Sequence, residues 1–360
     1  MKVVFRADAS TVIGTGHIMR CLTLANALHK AGAECHFVCR DHSGNLGHLI
    51  AEQGHYVHIV ALRNVSPLGL RPTYETWLGA TESDDASEFL EISGKISPDW
   101  VVVDHYGISD LWESAIYALN VRLLVIDDLA DRKHNCDVLL DQNFGRKPDD
   151  YQRLVPRKTR LVLGTQFALL RPEFYTSRPI SLARRKDPVF KAVLISLGGI
   201  DVGDVASNVL ADMENIDFPD DMKILVVVGT QCPHVKHVRA VGKRSRFDVE
   251  VIVGPLNMAE LMCQADVAIG AAGATSWERC CLGIPTILFS IARNQDVIAQ
   301  NLKKAGAAIV VKNPGDFKEL KDAFRLVQIS KNYKSLSRNS ARLVDGCGVD
   351  RIASIICSGG

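Results

Sequence analysis

The feature that most constrains this chain is a sustained alternation. Short apolar, β-branched runs are separated by stretches with helical apolar spacing. Runs at 2–7, 35–39, 56–60, 100–103, 122–126, 191–197, 223–228, 249–253, 266–269, 285–289 and 308–311 read as strands. They are almost continuously apolar, the pattern of parallel strands covered on both faces. Between the first two, Ile18, Cys21, Leu22, Ala25 and Leu28 share one helical face, and Gly32 follows as a C-terminal cap. An α/β chain built on parallel sheets follows.

The alternation breaks once. From Arg171 to Lys191 the sequence reads RPEFYTSRPISLARRKDPVFK, with three prolines, many charges and no clear period. This stretch reads as a linker, and KAVLISLGG then starts a second strand–turn–helix series. A chain of 360 residues suits two domains at roughly 150 residues each. The expected division is a Rossmann-like domain at 1–170, a linker at 171–190, a second Rossmann-like domain at 191–343, and a helical segment at 344–360 that can pack back across the boundary. Ligands of open parallel sheets bind beyond the carboxyl ends of the strands. The two sheets are therefore expected to face a common cleft.

Charge excludes some functions. Lys and Arg number 42 against 41 Asp and Glu, a formal net charge of +1. The one basic run, Arg184-Arg185-Lys186, is too short for a nucleic-acid face. No segment approaches the ~20 apolar residues of a membrane helix, and MKVVFRAD reads as a first strand, not a signal peptide. Ten cysteines without a CxxC pair point to reduced thiols and a cytoplasmic chain. The close histidine pairs His55/His58 and His234/His237 lack recognisable partner ligands, so neither a metal nor a cofactor is expected. The chain is expected to act as a monomer with no membrane or nucleic-acid partner.

The opening stretch RADASTVIGTGHIMRCLTLA is the first candidate site. Gly14 and Gly16 begin a G-x-G-x-x-G pattern, but Met19 holds the third position and His17 follows directly on Gly16. Glycines let the backbone approach a ligand, and a helix start offers N–H groups to an anion. A histidine there is placed to accept a proton as general base, or else is a structural or capping residue. Asp8, at the end of the first strand, is a candidate orienter of His17. The second candidate is GAAGATSWERCCLGIP. Gly273, Ala274, Thr275 and Ser276 would present N–H and hydroxyl donors to phosphate, and Glu278 could accept hydrogen bonds from ribose. The alternative is a well-capped helix start. SLGGID (with Gly199), DHYGIS (with Tyr106) and ARNQ (with Asn294 and Gln295) stand at further strand ends. Singly each reads as structural; together they outline a ligand site.

These motifs together resemble a family: the UDP-2,4-diacetamido-2,4,6-trideoxy-β-L-altropyranose hydrolases of pseudaminic acid biosynthesis. VVVDHYGIS, VLLDQNFGR, LVLGTQFALLRPEF, ISLGGID and GAAGATSWE continue the likeness in order over roughly residues 1–315. The carboxyl-terminal half also resembles the UDP-binding half of glycosyltransferase-B enzymes. The resemblance implies a glycosyltransferase-B fold and a hydrolase that releases UDP and free sugar with inversion, without metal. It implies that His17 is the catalytic histidine and Tyr106 an active-site tyrosine. It further implies that Gly273 to Glu278 hold diphosphate and ribose, that Val253 and Met258 lie near uracil, and that Asn294 and Gln295 reach the sugar. A UDP-sugar-dependent glycosyltransferase and a non-catalytic sugar-nucleotide-binding protein are the alternatives. One departure stands out: Ala271-Ala272-Gly273-Ala274 replaces a turn that can be hydroxyl-rich in relatives. The load of binding phosphate then shifts to backbone N–H groups.

Overall fold

The computed structural model describes residues 1–63, 74–187, 189–219, 221–292, 295–312 and 315–359. The chain divides into two units, Met1–Leu169 with Cys347–Gly360, and Leu170–Gly346.

In unit 1, the strands are β1 (Lys2–Ala7), β2 (Glu34–Arg40), β3 (Tyr56–Val60), β4 (Trp100–Asp104), β5 (Arg122–Ile126), β6 (Val138–Asp141) and β7 (Arg160–Leu163). They form one sheet of order β3-β2-β1-β4-β5-β6-β7, and every pairing is parallel. The order reverses between β1 and β4, so their carboxyl ends form the switch point where ligands of such sheets bind. The register puts Ala7 beside Asp104.

Helices α1 (Gly16–Lys30), α2 (Gly47–Glu52), α3 (Glu82–Ile96), α4 (Asp110–Ile116) and α5 (Pro148–Tyr151) connect these strands. The face expected for α1 is the buried one: Ile18, Cys21, Leu22, Ala25 and Leu28 all lie inside. Gly32, at φ +88, ends the helix, and its N–H donates to His29 O. Thr81 and Ser109 cap α3 and α4 through their side chains. Strands β6 and β7 are the two that the apolar runs do not reveal. Each is a four-residue run, VLLD and RLVL, with a charged residue at one end.

In unit 2, α6 (Pro172–Arg184) leads into β8 (Ala192–Ser196), α7 (Val205–Met213), β9 (Lys223–Val228), α8 (Val235–Arg244), β10 (Asp248–Val253), α9 (Met258–Gln264), β11 (Val267–Ala271), α10 (Thr275–Cys281), β12 (Thr286–Phe289), α11 (Asp296–Lys304) and β13 (Ile309–Val311). Helices α12 (Phe317–Gln328) and α13 (Ser330–Leu343) complete the unit. The six-stranded order β10-β9-β8-β11-β12-β13 repeats that of the first six strands of unit 1, with the switch point between β8 and β11.

The stretch 171–190, expected to be a linker, is mostly α6, with Pro172 in its first turn and Pro179 inside it. Pro179 and the mixed polarity hide the helical period. Tertiary packing supplies what the sequence lacks: Phe174 and Ser181 are buried, and Arg178 and Ser181 donate to the carbonyls of Cys281 and Leu282.

The final helix, α14 (Gly348–Cys357), belongs to unit 1. Its Val349, Ile352, Ala353, Ile355 and Ile356 join the core built on β1 and α1. The approach is close at its start: a Cβ on Gly348 would lie 2.3 Å from Ala168 O. Gly348→Ala is therefore expected to lower unfolding free energy by roughly 1–3 kcal/mol through overpacking, read as a reduced midpoint in chemical denaturation.

Candidate active site

The unit 1 site is built from the loop after β1, the start of α1, and the segments after β4 and β5. Ser10 shapes the glycine-rich loop: its Oγ accepts from the N–H groups of Val12 and Ile13 at 3.1 and 2.8 Å. Gly14 closes the loop at φ +85, and its N–H donates to Ser10 O at 2.9 Å. A left-handed residue here favours glycine. A Cβ on Gly14 or Gly16 would meet nothing within 4 Å, so backbone conformation is the constraint at Gly14.

His17 then sits in the first turn of α1, 7% exposed. Its Nδ1 is 2.6 Å from Asp104 Oδ1. Arg20, one turn along α1, donates to both oxygens of Asp104: Nε to Oδ2 at 2.6 Å and Nη2 to Oδ1 at 2.7 Å. Asp104 is fully buried. Burial alone would push its carboxyl upward, but Arg20 and His17 hold it well below the usual carboxylate range. An ionised carboxylate only accepts, so Nδ1 of His17 carries a proton, and in the neutral imidazole the lone pair is the one on Nε2. That is the tautomer a base requires.

Tyr106 packs edge-on against His17, with ring centroids 4.6 Å apart. Burial, with the Asp128 charge beside it, raises its phenol well above the ordinary value. Tyr106 therefore acts as a donor, giving its hydrogen to Asp128 Oδ2 at 2.8 Å. Tyr74 and Trp77 stand against the same ring, 5.2 and 5.9 Å away between centroids.

The expected pairing of Asp8 with His17 is corrected. Asp8 Oδ1 accepts from Arg40 N at 2.7 Å and pairs with Arg6 at 2.8 Å. Its Oδ2 faces His105 Nε2 at 3.4 Å. His105 in turn is held neutral: burial lowers it to about 3, and its Nδ1 accepts from Gly107 N. Asp8 thus belongs to a buried cluster with Arg6, Arg40 and Asp85, while Asp104 orients His17.

The sequence signal for Asp104 and Arg20 was present but weak. Arg20 is a cation set inside the apolar face of α1, at i+3 from His17. Asp104 ends an apolar strand. Neither observation alone says that the two meet.

The unit 2 site lies at the ends of β8 and β11. Gly199 approaches the next turn so closely that a Cβ on Gly229 would fall 2.3 Å from Gly199 O. Asp201 caps α7 by accepting from the N–H groups of Val205 and Ala206. In the turn after β11, Gly273 is open: a Cβ there would meet only Gln295 Nε2, at 3.9 Å. Ala274 and Thr275 follow at the start of α10.

Ser276 is corrected as a side-chain phosphate donor. It is 1% exposed, and its Oγ accepts from Arg279 at 3.1 Å. Arg279 Nη2 donates to Ala271 O at 2.7 Å and its Nη1 to Thr275 Oγ1 at 3.1 Å. Arg279 is the residue that the sequence reading missed. Its guanidinium lies beneath the turn where Gly270 has no side chain; a Cβ there would be 2.4 Å from Nη1. Burial lowers Arg279 to about 10.

Glu278 is shallowly buried, with Arg171 Nη2 at 3.7 Å. Burial raises its carboxyl to about 7, less than it would without Arg171 and Arg279. Val253 ends β10, and Met258 begins α9 with 7% exposure. Gln295 Oε1 accepts from Ile291 N. Asn294 lies outside the described residues. Among those described, no group of three or more His, Cys, Asp or Glu side chains is arranged to hold a metal ion, and no helix is long and apolar enough to cross a membrane.

Two Rossmann-like units with reversed-order parallel sheets define the glycosyltransferase-B fold. Solved structures show the same architecture. MurG of Acinetobacter baumannii superposes with a TM-score of 0.70 at 16% identity, covering 99% of each chain. The Staphylococcus aureus MnaA–UDP structure superposes at 0.63 and 14% identity, covering 99% of this chain and 95% of that one. Residues 204–341 match the glycosyltransferase family 28 C-terminal domain. The chain is 27% identical over 313 residues to the UDP-2,4-diacetamido-2,4,6-trideoxy-β-L-altropyranose hydrolase of Campylobacter jejuni, covering 87% of this chain and 100% of that protein. It is also 29% identical over 206 residues to the spore coat polysaccharide biosynthesis protein SpsG of Bacillus subtilis, covering 56% and 59%.

The buried carboxyl of Glu278 has a consequence for stability. Its folded value near 7 lies above the ordinary carboxylate value, so the folded state holds the proton more tightly. Stability contributed by that proton is present at pH 4.5 and is lost as pH rises towards and past 7. Glu278→Gln is therefore expected to raise stability at pH 8, by on the order of 1–3 kcal/mol, and to change little at pH 4.5. Melting temperatures of both proteins across that range check it.

Proposed function

We propose that the chain is a sugar-nucleotide hydrolase. Water would cleave the anomeric C–O bond of a UDP-linked 2,4-diacetamido-2,4,6-trideoxy sugar, releasing UDP and free sugar with inversion. The observation that carries this reading is the His17–Asp104 pair. It offers an imidazole with its proton fixed on the far nitrogen, at the switch point of unit 1. The similarity to the Campylobacter jejuni hydrolase over that protein's whole length supports the same reading.

The reaction needs little acid catalysis, because UDP is a good leaving group. Nε2 of His17 would take a proton from water as its oxygen bonds to the anomeric carbon. The bond to the diphosphate oxygen breaks on the opposite face, and its electron pair leaves with UDP. Attack and departure on opposite faces give inversion, with a histidine in place of the usual carboxylate base. Asp104 would then stabilise the imidazolium that forms, as the aspartate does in a Ser-His-Asp triad.

Unit 2 would hold the nucleotide. Backbone N–H groups around Gly273, Ala274 and Thr275 would meet the diphosphate, with the buried Arg279 beneath them. Glu278 would accept from ribose, Val253 and Met258 would flank uracil, and Asn294 and Gln295 would reach the sugar. Gly14, Gly16 and Gly199 would let the backbone come close.

A second reading is a UDP-sugar-dependent glycosyltransferase, favoured by the family 28 match and the MurG likeness. The two readings separate on the acceptor. With the diacetamido UDP-sugar in water, chelator present and no added acceptor, phosphorus NMR is expected to show UDP forming together with free sugar. A substrate that stays intact until a carbohydrate or lipid acceptor is supplied would instead identify a transferase. His17→Asn is expected to lower turnover by at least ~100-fold while UDP still binds; near-normal turnover would remove His17 as the base.

A further inference from the structure

The geometry points to Asp128 as a positioning residue for His17, acting through two separate arms. This inference rests on the reading of His17 as a base, but its central measurement does not require turnover.

Asp128 follows β5 and lies 108 residues along the chain from Arg20 of α1. Its Oδ2 accepts two hydrogen bonds at once, from Arg20 Nη1 at 2.7 Å and from Tyr106 OH at 2.8 Å. Its Oδ1 accepts from Asn143 Nδ2 at 3.2 Å. The first arm runs through the guanidinium. Nη1 of Arg20 is tied to Asp128, which orients the Nε and Nη2 edge towards the two oxygens of Asp104. Asp104 in turn receives Nδ1 of His17. The second arm runs through the phenol. The bond from Tyr106 OH sets the ring that stands edge-on to the imidazole at 4.6 Å. One arm fixes the end of the ring that carries the proton; the other packs against it.

The hydrogen-bond accounting of the guanidinium points the same way. The described contacts of this cluster place one guanidinium between two carboxylates, Asp104 and Asp128. With Asp128 removed, Arg20 would lose the acceptor of Nη1 and could turn towards solvent. Asp104 would then hold His17 with a less constrained partner. Asp128 is partly exposed, with its side chain at 16%, so its loss opens no deep cavity. Outer partners that orient metal-ligating side chains typically contribute 10–100-fold to affinity or activity, and an effect of that order is expected where the oriented group is a base.

The test is Asp128→Ala, with Asp128→Glu as the conservative variant. In the wild-type protein the Nδ1–H of His17 is expected as a protected, downfield proton resonance, assigned by its loss in His17→Asn. In Asp128→Ala that resonance should weaken or vanish and the two imidazole tautomers should mix, as nitrogen-15 shifts report. Asp128→Glu should restore it at least in part, because a carboxylate is returned within reach of Arg20. A role limited to packing would leave the resonance intact in the alanine variant. An unchanged resonance and tautomer in a folded Asp128→Ala protein would overturn the proposal. If that variant fails to fold, Tyr106→Phe breaks the phenol arm alone; the proposal then predicts partial broadening of the same resonance, and an unchanged signal overturns it.

Turnover supplies the second arm of the test. If the wild type hydrolyses the UDP-sugar, Asp128→Ala should lower kcat roughly 10–100-fold with little change in KM. A resonance that responds to Asp128 in a protein with no hydrolysis would sustain the positioning role and remove the hydrolase reading. Hydrolysis at an unchanged kcat in Asp128→Ala would do the reverse.

Discussion

A carboxylate wholly removed from water has to be answered by the protein, and the amino-terminal unit is arranged around the answer given to Asp104. Desolvating an ion costs several kcal/mol unless good geometry returns it. Arg20 returns it with two hydrogen bonds to Asp104, and His17 adds a third. Those partners come from the first two turns of α1, so the pairing also fixes how that helix meets the end of β4. The same pairing determines which nitrogen of His17 carries the proton. Fold geometry and candidate chemistry therefore share one interaction.

A second buried ionic group lies on the other side of β1. Arg6, Arg40, Asp8 and Asp85 join there, and Trp112 donates its indole N–H to Asp85. Burial works against the Asp85 charge, but Arg6 and Arg40 lower its carboxyl to about 2. This group explains why Asp8 is unavailable to His17. Its oxygens are directed towards Arg6, the backbone of Arg40 and His105, and away from α1. Residues adjacent in sequence, Asp104 and His105, point into different clusters. A strand sends successive side chains to opposite faces.

The carboxyl-terminal unit solves a related problem differently. Arg279 is buried with carbonyl and hydroxyl partners in place of a carboxylate. Its charge lies under the turn that follows β11, and the lack of a side chain on Gly270 makes the room. This places a cation behind a turn made of Ala271, Ala272, Gly273 and Ala274, whose side chains carry no donors.

Sequence alone determined the parallel α/β character, because strands buried on both faces must be apolar nearly throughout. It also located the glycine turns at strand ends, the buried face of α1 and His17 at a helix start, since each depends on local spacing. It could not reveal β6 and β7, short runs that include a charged end residue, or α6, whose prolines and charges mask a helix held by tertiary contacts. Above all it could not choose the partner of His17. Asp8 is nine residues away and Asp104 lies 87 residues away, yet the distant one makes the bond. That choice belongs to the sheet order, which sets the end of β4 beside the end of β1, and to side-chain direction, which turns Asp104 towards α1 and Asp8 into the arginine cluster.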